Sequence, residues 1–238
     1  MGICRARSDW RASRVPPVVP STTWIFLAFL LGTFVMLKSL CVYCGASSGA
    51  LPIYANAARR MAAELVEQDI ALVYGGGNIG LMGIIADEVL RLGGEVIGVI
   101  PTALVEREVG HQGLTRLHVV DTMHQRKAMM ADLADGFIAM PGGIGTLEEL
   151  FEVLTWSQLG LHDKPIGLLN VHGFYDGLIA FLDQVSEQGF LRHQHRDLLL
   201  HDIEAANLLQ QFARWKSGAL DNLLKPLLSP LQARALLT

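Results

Sequence analysis

A chain of 238 residues with 51% hydrophobic and 18% charged residues, against a usual charged share of about 25%, can bury a sizeable core and is neither disordered nor fibrous. Lys and Arg total 19 against 23 Asp and Glu, a net charge of -4, which cannot form the broad basic face that a nucleic-acid polymer requires. Three cysteines, Cys4, Cys41 and Cys44, make no disulfide framework and fit a reducing, cytoplasmic setting.

Residues 1–23 carry Arg5, Arg7, Arg11 and Arg14, then Pro16, Pro17 and Pro20, and lead into an apolar run over 24–37. That run is shorter than the roughly 20 residues of a spanning helix and matches the apolar core of a secretory signal. After it, however, come Lys38 and then SLCVYCGASSG, which reads as a first strand and turn, so cleavage there would cut into the fold. Three readings follow: a domain that starts at Met36 behind an upstream start or removable extension, a membrane anchor, or an export signal. The first is favoured, and membrane association is expected only if residues 24–37 are retained. Residues 1–35 carry +3, leaving -7 on the rest. The expected organisation is an extension over 1–35, one domain over 36–215, and a tail over 216–238 that reads as peripheral helix or partner contact.

Within the domain, 39–44, 70–74, 96–100, 117–120, 137–140 and 165–169 have strand length and β-branched or aromatic content. Between them, 54–67 puts Ala58, Met61, Ala62 and Leu65 on one helical stripe, and 147–159 does so with Leu147, Leu150 and Leu154, with Leu161 just beyond. Strand and helix alternate, which predicts an α/β, Rossmann-like doubly wound parallel sheet with helices on both faces. Such sheets bind ligands beyond the carboxyl ends of their strands.

Two glycine turns follow strands and open helices: YGGGNIGLMG over 74–83 and MPGGIGTLEE over 140–149. Glycine lets a ligand approach the backbone closely, and the start of the next helix favours an anion, so either turn could hold phosphate or be a plain tight connection. Neither is followed by the Lys-Ser/Thr pair of a Walker loop. A dinucleotide fingerprint would need an acidic residue at the end of the next strand, and Glu95 precedes that strand instead. In the second turn Thr146 is expected to cap the helix, with Glu148 and Glu149 in its first turn. Adjacent helical residues point about 100° apart, so at most one of the two faces a scissile bond. Upstream, DTMHQRKAMM over 121–130 places Arg126 and Lys127 near another helix start, where an Arg can clamp a phosphate ester; the plain alternative is a solvated face.

CVYCGASSG, LVYGGGNIGLMG, GVIP, MHQRKA and above all PGGIGTLEE resemble the Lonely Guy family of cytokinin-activating phosphoribohydrolases, long labelled lysine decarboxylases. The resemblance runs over about 38–214 and implies a Rossmann-like homodimer. It also implies hydrolysis of the N-glycosidic bond of a nucleoside 5′-monophosphate, N6-modified or plain AMP, to free base and ribose 5-phosphate. Carried onto this chain, the catalytic pair falls on Arg126 and Glu149. Nucleotide contacts fall on Glu108, Arg126, Lys127, Gly143, Ile144, Gly145, Thr146, Leu147, Glu148, Glu149 and Thr155. Thr102, Val105 and Glu106 stand where relatives often have Lys, Met and Pro, and Ile144 replaces a common Tyr, departures that bear on base selectivity. The chemistry needs no metal or redox cofactor. A carboxylate near the anomeric carbon stabilises the oxocarbenium-like state and orients or deprotonates water; Arg126 serves either the leaving base or the phosphate.

Other signals carry less. Cys41 and Cys44 are an odd number of strand positions apart, which sends their side chains to opposite faces. His193 and His195 beside Arg192 and Arg196 read as a surface loop, His124 as a helix-start histidine, and Met123, Met129, Met130 and Met140 as core or pocket lining. Two rivals remain: a nucleotide-binding module without turnover, and a decarboxylase, which would need a Schiff-base lysine where only Lys127 and Lys164 lie between the first strand and the tail.

Overall fold

The computed structural model describes residues 37–105 and 110–215. The expectations for the extension, for the tail from 216 and for Glu108 lie outside the described residues. Among those described, seven strands form one parallel sheet: β1 (Ser39–Tyr43), β2 (Ala71–Tyr74), β3 (Val96–Pro101), β4 (Arg116–Val120), β5 (Phe137–Ala139), β6 (Ile166–Leu169) and β7 (Leu199–Asp202). Their order is β4-β3-β2-β1-β5-β6-β7. Cys41 of β1 lies in register with Val73 on one side and Phe137 on the other. The inner strands are buried on both faces, which is why they read as continuous apolar runs.

The helices are α1 (Pro52–Glu67), α2 (Gly80–Arg91), α3 (Thr102–Val105), α4 (Met123–Leu133), α5 (Ile144–Gln158), α6 (Asp176–Glu187), α7 (His193–Arg196) and α8 (Ala205–Ala213). Helices α1, α2 and α8 cover one face, where Ala58, Met61, Leu65, Ile85, Leu208 and Phe212 pack on Leu40, Val42 and Leu72. Helices α4, α5 and α6 cover the other, where Met130, Leu150, Leu154 and Leu182 pack with Cys41, Val73 and Phe137. The expected doubly wound architecture is therefore present. Cys41 and Cys44 fall in the cores of opposite faces, both free and buried.

Several expectations are corrected. A seventh strand, β7, lies where no strand was expected; only its Leu199 is buried, and Leu200, His201 and Asp202 give an edge strand no apolar run. The residues around His193 form a one-turn helix in which His193 Nδ1 lies 2.9 Å from the Ser186 hydroxyl. Met123, read as core or pocket lining, is 41% exposed and is not core, and Leu161, just beyond the α5 stripe, is 69% exposed. Among the described residues no helix is long and apolar enough to cross a membrane.

Candidate active site

The chain leaves β1 for β2, runs out to the edge at β4, and then returns to β5 on the other side of β1. The turns after β1 and β5 therefore lead to helices on opposite faces and part at the carboxyl end of the sheet, the place where such folds bind ligands. The crevice floor is tied together by main chain: Met140 N donates to Tyr43 O at 2.8 Å and Gly45 N to Pro141 O at 3.1 Å. The Tyr175 hydroxyl donates to Met140 O at 2.7 Å from below.

The two glycine turns have different jobs. At Gly80, which has φ +61°, a Cβ would lie 2.3 Å from the carbonyl carbon of Ala46. The first N–H groups of α2 are engaged as well, with Leu81 N and Met82 N donating to Gly45 O. The end of the first turn that enters α2 thus packs against the backbone of residues 45–47. In the second turn the helix starts three residues earlier than expected, at Ile144 with Gly143 as N-cap and no side-chain cap. Thr146 does not cap it; buried inside the first turn, it packs where a Cβ on Gly142 would come within 2.1 Å of its Oγ1. Glu148 and Glu149 consequently sit in the second turn of α5, not the first. At Gly143 and Gly145 a Cβ would meet nothing within 4 Å among the described residues and φ is ordinary, so none of those residues demands glycine there. Bare backbone at an uncapped helix start leaves room for an anion. Helix α4 is closed by contrast: Thr122 and Gln125 form a reciprocal capping box.

Arg126 lies in the first turn of α4 and is only 5% exposed. Its Nη2 donates to the carbonyl of Gly75 at 2.9 Å, so the turn after β2 is the seat of its guanidinium. Glu149 is half-buried. Burial pushes the Cys41 thiol well above its usual range and the Glu149 carboxylate adds to this, while a hydrogen bond with Tyr43 and the charge of Arg126 pull it back. Burial and then Glu149 likewise raise Cys44. The opposite charges of Arg126 and Glu149 therefore both act on the end of β1.

The other expected contacts are placed differently. Lys127 points to α5, with Nζ 2.6 Å from Glu148 and 3.0 Å from Glu152. Burial pulls its pKa down, but those two carboxylates outweigh burial and leave it raised. Thr155 is exposed and donates its hydroxyl to Phe151 O at 2.7 Å. It lies seven residues from Glu148, on that residue's stripe and about 120° around the helix from Glu149. Leu147 is half-buried and Ile144 is 82% exposed. Arg126 and Glu149 thus both act on the end of β1, Gly143 and Gly145 open the helix that carries Glu149, and Lys127 and Glu148 pair with each other, with Thr155 on the stripe of Glu148. Sequence reasoning missed Glu152 as a partner of Lys127 and Gly75 as the seat of Arg126; the run of three glycines was the available signal for the latter. Among the described residues no group of three or more His, Cys, Asp or Glu could hold a metal ion.

A family model described as "Possible lysine decarboxylase" matches residues 82–212, a stretch that includes the PGGIGTLEE turn of this Rossmann-like sheet. The relatives are more specific. The chain is 50% identical over 173 residues to the cytokinin riboside 5′-monophosphate phosphoribohydrolase LOG2 of Arabidopsis thaliana, covering 73% of this chain and 81% of that one. It is 48% identical over 179 residues to LOG7 of the same plant, covering 75% and 82%. It is 50% identical over 163 residues to the probable enzyme LOGL2 of Oryza sativa subsp. japonica, covering 68% and 67%. The chain belongs to the cytokinin riboside 5′-monophosphate phosphoribohydrolase family. Among solved structures, the molybdenum cofactor carrier protein of Chlamydomonas reinhardtii superimposes with a TM-score of 0.56 at 17% identity, covering 74% of this chain and 97% of that one. The molybdenum cofactor binding protein of Rippkaea orientalis gives 0.56 at 21%, covering 73% and 94%. These two share the fold alone.

Proposed function

We propose that the chain hydrolyses the N-glycosidic bond of an adenosine 5′-monophosphate, plain or N6-modified, to free base and ribose 5-phosphate. The observation that carries this is the pair of sterically unneeded glycines, Gly143 and Gly145, at the uncapped start of α5, on the same helix as Glu149. The 5′-phosphoryl group sits on that helix start. Glu149 takes a proton from water as its oxygen bonds to C1′; the C1′–N9 bond breaks, and its electron pair leaves with the purine, which gains a proton. Arg126, held by the Gly75 carbonyl, offsets the negative charge that develops on the departing base. Anchoring the phosphate away from the scissile bond lets binding energy position the ribose.

The decarboxylase label fits these residues poorly. An amine that forms a Schiff base must be neutral to attack, whereas Lys127 is held charged between Glu148 and Glu152 and Lys164 donates to Ala131 O at 2.8 Å. The deciding measurement is chromatography after incubation with AMP and with isopentenyl-AMP. Free adenine or isopentenyladenine together with ribose 5-phosphate is the expected product set; binding of AMP with no released base would leave a nucleotide-binding module.

The working form is a homodimer of cytoplasmic chains. Support for the second copy comes from large apolar side chains left exposed on α5, the turn after it and α6, namely Ile144, Leu159, Leu161 and Phe181, which a partner surface would cover. The buried free thiols of Cys41 and Cys44 suit a reducing compartment. Light scattering on the eluting peak of a sizing column should give twice the chain mass, and Phe181→Glu should shift it towards the monomer. A monomeric wild type would contradict the dimer.

A further inference from the structure

His111 is a buried polar residue, 7% exposed, in the segment between β3 and β4. Its Nε2 lies 2.9 Å from Oδ1 of Asp87 on α2, and Gly113 N donates to its Nδ1 at 3.1 Å. Since Nδ1 accepts a hydrogen bond, it carries the lone pair, and Nε2 carries the hydrogen given to Asp87. The ring thereby braces residues 110–113 against α2.

The backbone of the same residues braces the turn after β2. His111 N donates to Gly76 O at 3.0 Å, and Gly110 forms an antiparallel bridge with Gly77. One residue earlier in that turn, Gly75 O accepts from Arg126. Gly76 has φ +77°, and three consecutive glycines have no side chains of their own to fix their path. The carbonyl that seats Arg126 is therefore held in place from outside, by the His111 segment.

We propose that His111, locked by Asp87, is a positioning residue for Arg126. The proposal rests on the hydrolase reading above, because it assigns Arg126 a transition-state role. The Asp87 side chain is 67% exposed, so it can be changed with little risk to folding. If the brace aims Arg126, its loss lowers turnover more than substrate affinity, since a small misplacement of a catalytic group weakens what is gained only in the transition state.

The test is steady-state adenine release from AMP by wild type, Asp87→Ala, Asp87→Asn and His111→Ala, with circular dichroism of each. Asp87→Ala is expected to lower kcat about tenfold with KM changed by less than about threefold. Asp87→Asn should stay within about threefold of wild type in both, because its Oδ1 still accepts from Nε2–H. His111→Ala should lose at least as much kcat as Asp87→Ala. A purely structural bond would instead move thermal stability and leave kcat alone. Wild-type turnover with an unchanged kcat in Asp87→Ala, or equal losses in the Ala and Asn variants, overturns the positioning role while leaving the hydrolase standing. A wild type that binds AMP and releases no base overturns the hydrolase reading, and this proposal with it.

Discussion

Replacing Glu149 by glutamine is expected to lower base release from AMP by about 10²- to 10⁴-fold, the usual worth of a positioned general base, while AMP binding changes by less than about threefold. Glutamine keeps the volume and hydrogen-bonding reach of the side chain and removes its charge and its basicity. On α5 the carboxylate sits one turn beyond the bare glycines of the helix start, so in the proposed reaction the phosphate and the reacting carbon would meet different parts of one rigid element. Binding and chemistry should therefore separate: equilibrium dialysis with AMP reads the first, and quenched-flow release of adenine reads the second. Glu148→Gln is the internal comparison. Its carboxylate is about half exposed and pairs with Lys127, which keeps its second partner Glu152 at 3.0 Å when Glu148 is changed. A much smaller loss of turnover is expected there. Equal losses in the two variants, or full turnover in Glu149→Gln, would remove Glu149 from the chemistry.

How much of this was legible in the sequence follows from what burial does to a pattern. Strands covered on both faces become apolar runs, so Leu72 and Val73, Val96 and Ile97, and Phe137 and Ile138 announce themselves. An edge strand such as β7, half of it His201 and Asp202, does not. Helix α1 shows its core stripe because solvent covers its other side. The start of α5 is hidden by its glycines, which count against helix in any propensity reading, yet Gly143 is its N-cap and Gly145 lies in its first turn. Residue identities at the site were readable as motifs; their partners were not. Arg126 meets Gly75 across 51 positions of sequence, and His111 meets Asp87 across 24. Both meetings depend on the strand order, which places β2 beside β1 and β3 and which no local pattern encodes. For the same reason nothing local announces that Lys127, adjacent to Arg126 in the chain, pairs with two carboxylates of α5.

Gly75→Ala is expected to leave the fold intact and to lower turnover by about 10²-fold, the scale on which a misplacement of about 1 Å acts. A Cβ at this position would lie 2.0 Å from Nη2 of Arg126 and 3.1 Å from its Cζ, with Met82 Sδ next at 3.4 Å. Backbone does not appear among these neighbours, and φ at Gly75 lies outside the left-handed region, so alanine can adopt the main-chain path. What must yield is the guanidinium. In moving it gives up its hydrogen bond to the Gly75 carbonyl, a charge-assisted bond worth about 1.5–3 kcal/mol, and it leaves the position from which it would meet the departing base. Stability should fall by no more than that amount in urea titration. Gly76→Ala provides the contrast: φ is +77°, and a Cβ would crowd Ile100 and Leu117 at 3.2 Å, so the penalty there falls on the fold, and turnover per folded molecule should suffer less. If instead Gly75→Ala turned over AMP at the wild-type rate, Arg126 would reach its working position by some route other than the turn that now holds it, and the account of the first glycine turn as its seat would be lost.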